Sequence, residues 1–182
     1  QSVTIPSYAD NFLKQAIAQA KTLAGDDILT EGAKIYTTLD TTAQQNLYNI
    51  VNTGNYITYP DDTMQVASTV TDVKTGAVIA QIGGRNQPSN VTFGFNQAVQ
   101  TDRDWGSTMK PIVDYGPAFE NNIYTSTNNY VSDSPTTYPN GTPLKNWDNT
   151  YFGSMTVKSA LALSRNIPAV KTLINVGLDN SS

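Results

Sequence analysis

Apolar residues recur every three or four positions near the start of the chain, which is the spacing of a helix with one buried face. The pattern begins at Tyr8 and runs to Leu23, just before Gly25, so we predict an amphipathic helix over these residues. The next apolar stretch has a different character, because residues 34–39 are rich in β-branched and aromatic side chains. That composition predicts a strand.

A second helical pattern follows this strand. Asp40 and Thr41 both carry side chains that can cap a helix start, and Thr41 with Gln44 fits the capping-box motif. Apolar residues then recur at helical spacing until Gly54, and turn-forming residues occupy positions 55–62. We therefore predict a second amphipathic helix, followed by a boundary in the chain.

Two β-rich runs, residues 65–72 and 77–83, come next and predict a β-hairpin. The connection between them contains Lys74-Thr75-Gly76, a triplet that also occurs as a signature of serine acyl-enzymes. Here the triplet lies in a turn, where glycine is favoured for its backbone freedom. We interpret it as part of the turn and assign it no catalytic role.

The second half of the chain alternates between helical and irregular patterns. Apolar positions after Ser107 predict a helix that is kinked or ended at Gly116-Pro117. Residues 121–153 are rich in Tyr, Asn, Ser and Thr with little periodicity, which predicts a long irregular excursion. Helical spacing resumes over residues 155–163 and again over 169–176.

Composition excludes several classes of function. The net charge is -4 and no run of Lys or Arg occurs, so a nucleic-acid surface is not expected. The chain has neither cysteine nor histidine, which excludes disulfides and cysteine catalysis and argues against a zinc site. No apolar stretch is long enough for a membrane span. We expect no metal and no cofactor.

The most plausible nucleophile is Ser107, which stands three residues before Lys110. On a helix this spacing puts both side chains on one face. Pro111 is tolerated near a helix start, and Gly106 can supply the bend into it, so Ser107 is expected at a helix N-terminus. A serine hydroxyl needs a base to take its proton, and without histidine the nearest candidate is Lys110.

The Ser-x-x-Lys spacing alone is weak evidence, because it occurs by chance in a chain with this many serines and lysines. A second short motif, Ser164-Arg165-Asn166, adds to it. Pro168 disfavours helical geometry at Ile167, so we predict that the triplet forms a tight turn between two helices. Residues 126–128 also read Ser-x-Asn, but they lie in the irregular excursion and we prefer the triplet at 164–166.

Three longer stretches together carry a resemblance to a known family. Residues 35–40 (Ile-Tyr-Thr-Thr-Leu-Asp), 106–111 (Gly-Ser-Thr-Met-Lys-Pro) and 164–170 (Ser-Arg-Asn-Ile-Pro-Ala-Val) resemble, in this order, segments of the class A (bifunctional) penicillin-binding proteins. By this resemblance, residues 1–62 correspond to the linker before the transpeptidase domain. Residues 63–182 correspond to the N-terminal part of that domain.

The resemblance implies an α+β fold of the type shared with serine β-lactamases, an antiparallel sheet flanked by helices. It also implies D,D-transpeptidase chemistry on peptidoglycan stem peptides ending in D-Ala-D-Ala, and acylation by β-lactam antibiotics. Ser107 would be the acylated nucleophile, Lys110 its base, Ser164 a proton relay and Asn166 a substrate-binding residue. The expected location is the extracytoplasmic face of the bacterial cell membrane.

The sequence departs from the family pattern in one respect. The glycosyltransferase half, the membrane anchor and the third signature, which follows the other two in the family, are missing. We therefore expect the remainder of the transpeptidase domain to be a partner, as a second polypeptide, and the isolated chain to be inactive. Two alternatives stay open: a serine β-lactamase-like hydrolase, and a non-catalytic cell-wall-binding module.

Overall fold

The computed structural model describes residues 5–30, 32–88 and 91–177. They form two compact units, residues 1–102 and residues 103–182. The assignment of residues 1–62 to a linker and 63–182 to a transpeptidase domain concerns the organisation of the family, and it stays a prediction. No helix of the described residues is both long and apolar enough to cross a membrane.

Two helices form much of the first unit, as the apolar spacing predicted. Helix α1 spans Asp10–Ala24 after a short 3-10 turn, and it ends at Gly25, whose positive φ of 93° suits glycine. Helix α2 spans Thr41–Asn52. The predicted Thr41–Gln44 capping box is wrong, because the cap is Asp40, whose carboxylate accepts the Ala43 N–H at 2.9 Å.

The predicted hairpin is confirmed and packs against these helices. Strand β1, Ser68–Thr71, pairs antiparallel with strand β2, Val78–Ile82. The Asp72 carboxylate accepts hydrogen bonds from the Lys74 and Thr75 backbone N–H groups at 3.0 and 2.8 Å, and Gly76 has a φ of 72°. The Lys-Thr-Gly triplet is therefore a turn, as interpreted from the sequence.

The strand predicted over residues 34–39 is wrong, because this segment has no regular secondary structure. The Thr38 hydroxyl of this segment donates to the Val78 carbonyl of β2 at 2.6 Å, and just after the segment the Asp40 N–H donates to the Ile79 carbonyl on the outer edge of this strand at 2.9 Å. The buried Gln44 side chain of α2 occupies the next part of that edge. Its carboxamide accepts the Gln81 N–H at 2.8 Å and donates to the Gln81 carbonyl at 3.0 Å, so no strand can pair there.

The helix predicted after Gly106 is present in three consecutive forms. A 3-10 turn covers Gly106–Met109, a π-helix covers Lys110–Tyr115, and helix α3 covers Gly116–Glu120. The change from π to α geometry falls at Gly116-Pro117, where the sequence predicted a kink or an end. A β-carbon at Gly116 would lie 2.7 Å from the Pro111 carbonyl oxygen, so glycine is required for this close approach.

Residues 121–153, which were predicted to be a long irregular excursion, contain short strands that the sequence did not predict. Strands β3, Tyr130–Asp133, and β6, Gly153–Thr156, pair antiparallel. Strands β4, Thr136–Thr137, and β5, Pro143–Leu144, form a smaller ladder. Strands of two to four residues are too short to produce a clear alternation of apolar and polar positions.

Two helices complete the second unit. Helix α4 spans Val157–Ala162, shorter than the predicted 155–163, because Met155 belongs to β6. Helix α5 spans Asn166–Val176 and begins three residues before the predicted Ala169, so Ile167 is helical despite the following proline. Buried side chains of the π-helix, α3, the loop after α3, β3, β6, α4 and α5 form the core of this unit: Tyr115, Ala118, Tyr124, Val131, Met155, Val157, Ala160, Ala169 and Val176.

Candidate active site

Ser107 lies in the first turn of the 3-10 helix with an exposed side chain. Gly106 enters this turn with a φ of 52°, and its N–H donates to the Asp104 carboxylate at 2.9 Å. Within the described residues, neither the hydroxyl nor the backbone N–H of Ser107 has a hydrogen-bond partner. Both groups are therefore available to a ligand.

Lys110 begins the π-helix and is only 8% exposed. Its ammonium group donates to the Ser164 carbonyl at 2.8 Å, to the Ser164 hydroxyl at 3.2 Å and to the Asn166 side-chain carbonyl at 2.7 Å. These three contacts use all three N–H donors of an ammonium. Burial lowers the pKa of Lys110, since desolvation disfavours the charged form.

The structure thus brings together three of the four residues singled out from the sequence. Asn166, which was predicted to lie in the tight turn between α4 and α5, is instead the first residue of α5. Ser164 does lie in that turn, where it adopts a φ of 51°. Such a backbone conformation is unusual for a residue with a side chain and indicates that the surroundings hold it. The fourth, Ser107, lines the same cavity as Lys110 and Asn166 without a hydrogen bond to either.

Arg165 holds this turn in place from the inside. Its side chain is 1% exposed, and it forms ion pairs with Asp133 at 2.9 Å and Asp148 at 2.7 Å. It also donates to the Thr150 carbonyl and lies over the Phe152 ring, with 4.4 Å from the guanidinium carbon to the ring centroid. A planar guanidinium with several donors suits such a buried site.

Asn146 provides the second support. Its side-chain carbonyl accepts the Asn166 and Ile167 N–H groups at 2.8 and 3.2 Å, which satisfies two free donors at the start of α5. Its amide donates to the Asp133 carboxylate at 2.7 Å. Residues 146–152 therefore fix both the turn and the helix that follows it.

A cavity of about 540 Å³ opens beside these groups. The 3-10 turn and the π-helix form one wall, and α5 forms another. The irregular segment around β4 and β5 supplies the rest, so part of the predicted excursion does border the site. Polar and titratable residues among those that line the cavity are Ser107, Lys110, Asp114, Tyr138, Lys145 and Asn166.

Sequence reasoning missed two participants in this arrangement. Asp114 lies four residues after Lys110, is 8% exposed and lines the cavity. Burial raises its pKa to about 6, although the neighbouring Lys110 acts in the opposite direction. The spacing between Lys110 and Asp114 was a usable signal. The sequence offered no comparable signal for the burial of Arg165, because its partners lie in residues 121–153, where no pattern was recognisable.

The chemistry available here is that of an amine next to a hydroxyl. No group of acidic residues that could hold a metal ion occurs among the described residues. An amine that loses a proton can act as a base toward a nearby hydroxyl, and an exposed serine with an unpaired N–H can accept an acyl group.

Comparison with known families gives a match over more than half of the chain. Residues 66–181 match the family model described as the penicillin-binding protein transpeptidase domain. The matched segment contains the hairpin, Ser107, Lys110 and the turn at 164–166.

Curated relatives match almost the whole chain. Penicillin-binding protein 1A of Streptococcus oralis is 55% identical over 177 residues, covering 97% of this chain and 28% of the relative. The protein of the same name from Streptococcus pneumoniae is 54% identical, covering 97% of this chain and 25% of the relative. The chain thus spans about a quarter of the length of these relatives.

Solved structures share the fold. PonA1, a penicillin-binding protein of Mycobacterium tuberculosis, aligns with a TM-score of 0.72 at 24% identity, covering 92% of this chain and 41% of that one. A structure of PonA1 in complex with penicillin V aligns with a TM-score of 0.71 at 25% identity, covering 92% of this chain and 43% of that one. The described residues therefore have part of the transpeptidase fold, with helices and small antiparallel sheets.

Proposed function

The chain belongs to the family of penicillin-binding protein transpeptidase domains, and on that premise we propose that it forms part of a D,D-transpeptidase. This enzyme would cross-link peptidoglycan stem peptides through a serine acyl-enzyme, and β-lactam antibiotics would acylate the same serine. The observation that carries the proposal is the set of three contacts from Lys110 to Ser164 and Asn166, beside an unpaired Ser107 hydroxyl.

In the proposed reaction, the Ser107 hydroxyl attacks the carbonyl carbon of the D-Ala-D-Ala peptide bond. Its proton passes to the Lys110 amine as the new carbon–oxygen bond forms. The peptide C–N bond then breaks, and the terminal D-alanine leaves after receiving a proton through the Ser164 hydroxyl, which lies 3.2 Å from Lys110. An amine of a second stem peptide attacks the resulting ester, which restores Ser107 and forms the cross-link.

Lys110 must lose one proton before it can act as a base. In the described arrangement it donates three hydrogen bonds, which is the pattern of an ammonium. Burial favours the neutral amine, because the charged form loses hydration. Loss of one proton, together with the hydrogen bond that it makes, would leave a nitrogen lone pair that can accept the Ser107 proton.

Asn166 is proposed to bind the substrate backbone near the scissile bond. Its side-chain amide donates to the Lys145 carbonyl at 3.0 Å, which orients its side-chain oxygen toward Lys110 and the cavity. The unpaired N–H of Ser107 would stabilise the negative charge on the carbonyl oxygen as one half of an oxyanion hole. We assign the other half to a part of the domain outside this chain.

The similarity to known proteins motivates three further parts of the proposal. The relatives are about four times as long as this chain, so we propose that the remainder of the transpeptidase domain completes the site. We also propose a location at the extracytoplasmic face of the bacterial membrane, with the anchor outside residues 1–182. β-Lactams are proposed as ligands because PonA1, a member of the same fold, has been solved with penicillin V.

The lifetime of a penicillin adduct tests this proposal against the two alternatives. The complete domain is mixed with a fluorescent penicillin, and bound label is followed over time after the free drug is removed. A stoichiometric adduct that persists supports the transpeptidase. Rapid loss with release of hydrolysed drug would indicate a β-lactamase, and absence of any adduct would indicate a non-catalytic wall-binding module.

A further inference from the structure

Asp114 is a titratable group in the cleft that the proposed reaction does not use. It lies one turn after Lys110 on the π-helix and lines the cavity that Ser107 and Asn166 also line. It is buried, and within the described residues its carboxylate has neither a hydrogen bond nor an ion pair. It lines an open cavity beside Lys110, where the carboxyl can ionise, so its effect on Lys110 needs to be considered.

Lys110 is the charged residue that acts electrostatically on the Asp114 carboxyl. The ammonium of Lys110 points toward Ser164 and Asn166, and the two charged groups share the cavity without a direct contact. On the same helix, the neighbouring Tyr115 has a buried hydroxyl that lacks a partner among the described residues.

The other elements packed against the π-helix contribute little charge. The 3-10 turn has no charged residue, and α3 carries only Glu120, which is exposed. Helix α5 carries Lys171, whose ammonium donates to the Ser132 hydroxyl at 3.1 Å. Across the cavity lie Tyr138 and the exposed Lys145.

We propose that Asp114 is a positioning residue that keeps Lys110 in its ammonium form in the empty cleft and thereby sets the pH at which acylation begins. This inference rests on the proposed function, because it requires Lys110 to act as the base. An ionised carboxylate favours a nearby ammonium, so Asp114 opposes the loss of the Lys110 proton. The π-helix supports the inference independently, because such segments are frequent at functional sites.

The sign of the effect follows directly. Acylation requires neutral Lys110, so its rate should rise with pH as Lys110 loses its proton. Asp114→Asn removes the negative charge, and Lys110 then loses its proton at lower pH. The rising limb of the acylation profile should therefore move to lower pH. At a fixed pH on that limb, acylation should become about 3- to 10-fold faster.

The experiment measures the second-order rate of acylation of the complete domain by a fluorescent penicillin across the pH range. Asp114→Asn should move the rising limb to lower pH, Asp114→Glu should leave it near the wild-type position, and Glu120→Gln serves as a control for an exposed carboxylate. A limb that stays in place or moves to higher pH in a folded Asp114→Asn domain overturns the inference. Asp114→Ser, a smaller neutral variant, replaces it if the asparagine variant does not fold.

A measurement on the unmodified domain covers the case in which neither neutral variant folds. Since burial raises the Asp114 pKa to about 6, Asp114 gains a proton as the pH falls through that range, and it then no longer favours the Lys110 ammonium. The wild-type limb should then be shallower near pH 6 than a single ionisation gives. A limb described by one ionisation overturns the inference. Loss of all acylation in Ser107→Ala, together with an unshifted limb in Asp114→Asn, would leave the proposed function intact.

Discussion

At the scale of single residues, the second motif is held in place by the residue between its two candidate site residues. Ser164 and Asn166 face Lys110, whereas Arg165 points into the unit and pairs with Asp133, which is fully buried. The motif therefore works as a turn whose middle side chain is its anchor. A buried ion pair of this kind is weak evidence for net stability, but removal of one partner leaves an uncompensated charge.

Replacement of this anchor should unfold the turn. Arg165→Met leaves the Asp133 carboxylate buried without its cation, which should lower the free energy of unfolding of the complete domain by ~3–5 kcal/mol. Urea denaturation measures this change. Lys158→Met, which removes an exposed cation from α4, is the matched control and should change stability by less than ~0.5 kcal/mol. Equal effects of the two substitutions would contradict the anchoring role of Arg165.

The sequence could single out the candidate site residues, but it could not show the residues that support them. Ser107 with Lys110, and Ser164 with Asn166, occur at short spacings that a linear pattern can display. Arg165 depends on contacts with residues 133, 148 and 150, which the chain brings together only through the β3–β6 pairing and the loop before β6. The roles of the four site residues themselves stay predictions.

At the scale of elements, the helix that carries Lys110 is organised by a proline and a glycine five residues apart. Pro111 has no N–H to donate, and its carbonyl accepts the Gly116 N–H across the wider π turn. Pro117 follows without an N–H of its own, and α geometry takes over. The sequence predicted an irregularity at Gly116-Pro117. It could not predict a π-helix, because the π geometry depends on a close approach between backbone atoms, which the spacing of apolar side chains does not indicate.

A side chain at position 116 should disturb this approach. Gly116→Ala would put a β-carbon 2.7 Å from the Pro111 carbonyl, and the backbone must shift because neither atom belongs to a flexible side chain. We expect a loss of ~1–3 kcal/mol in the free energy of unfolding, as for other overpacked sites. Acylation should also slow, because Lys110 lies within the displaced segment.

The stability loss is measured by denaturant unfolding and the acylation rate by penicillin labelling. Gly94→Ala is the control, because its new β-carbon would meet its nearest neighbours at 3.4 Å, an ordinary contact distance. A Gly116→Ala domain with wild-type stability and labelling would show that the π-helix does not depend on this glycine.

At the scale of the whole molecule, the first unit contains a two-stranded sheet with one closed edge and one open edge. The outer edge of β2 is occupied by Asp40 and by the Gln44 carboxamide. No described residue forms a backbone hydrogen bond with the outer edge of β1. A two-stranded sheet is marginal alone, so we propose that further strands from the remainder of the domain join at β1.

The fragment proposal predicts different behaviour for residues 1–182 alone and for the complete domain. The chain alone should lack a cooperative thermal transition and should not bind penicillin, since strands and one side of the cleft are proposed to come from the remainder. Addition of that remainder as a second polypeptide should restore both and should protect the Ser68–Thr71 amides from hydrogen exchange. A cooperative transition with penicillin binding by the isolated chain would contradict this proposal.

The central claim is that Ser107 is acylated with Lys110 as its base. The most direct test is mass spectrometry of the complete domain after reaction with benzylpenicillin, with the modified residue located by peptide mapping. We expect one adduct per molecule on Ser107, none after Ser107→Ala, and unchanged labelling after Ser126→Ala, which removes an exposed serine from the alternative Ser-x-Asn motif. An adduct on Ser164 or Ser126, or labelling that persists in Ser107→Ala, would contradict the account.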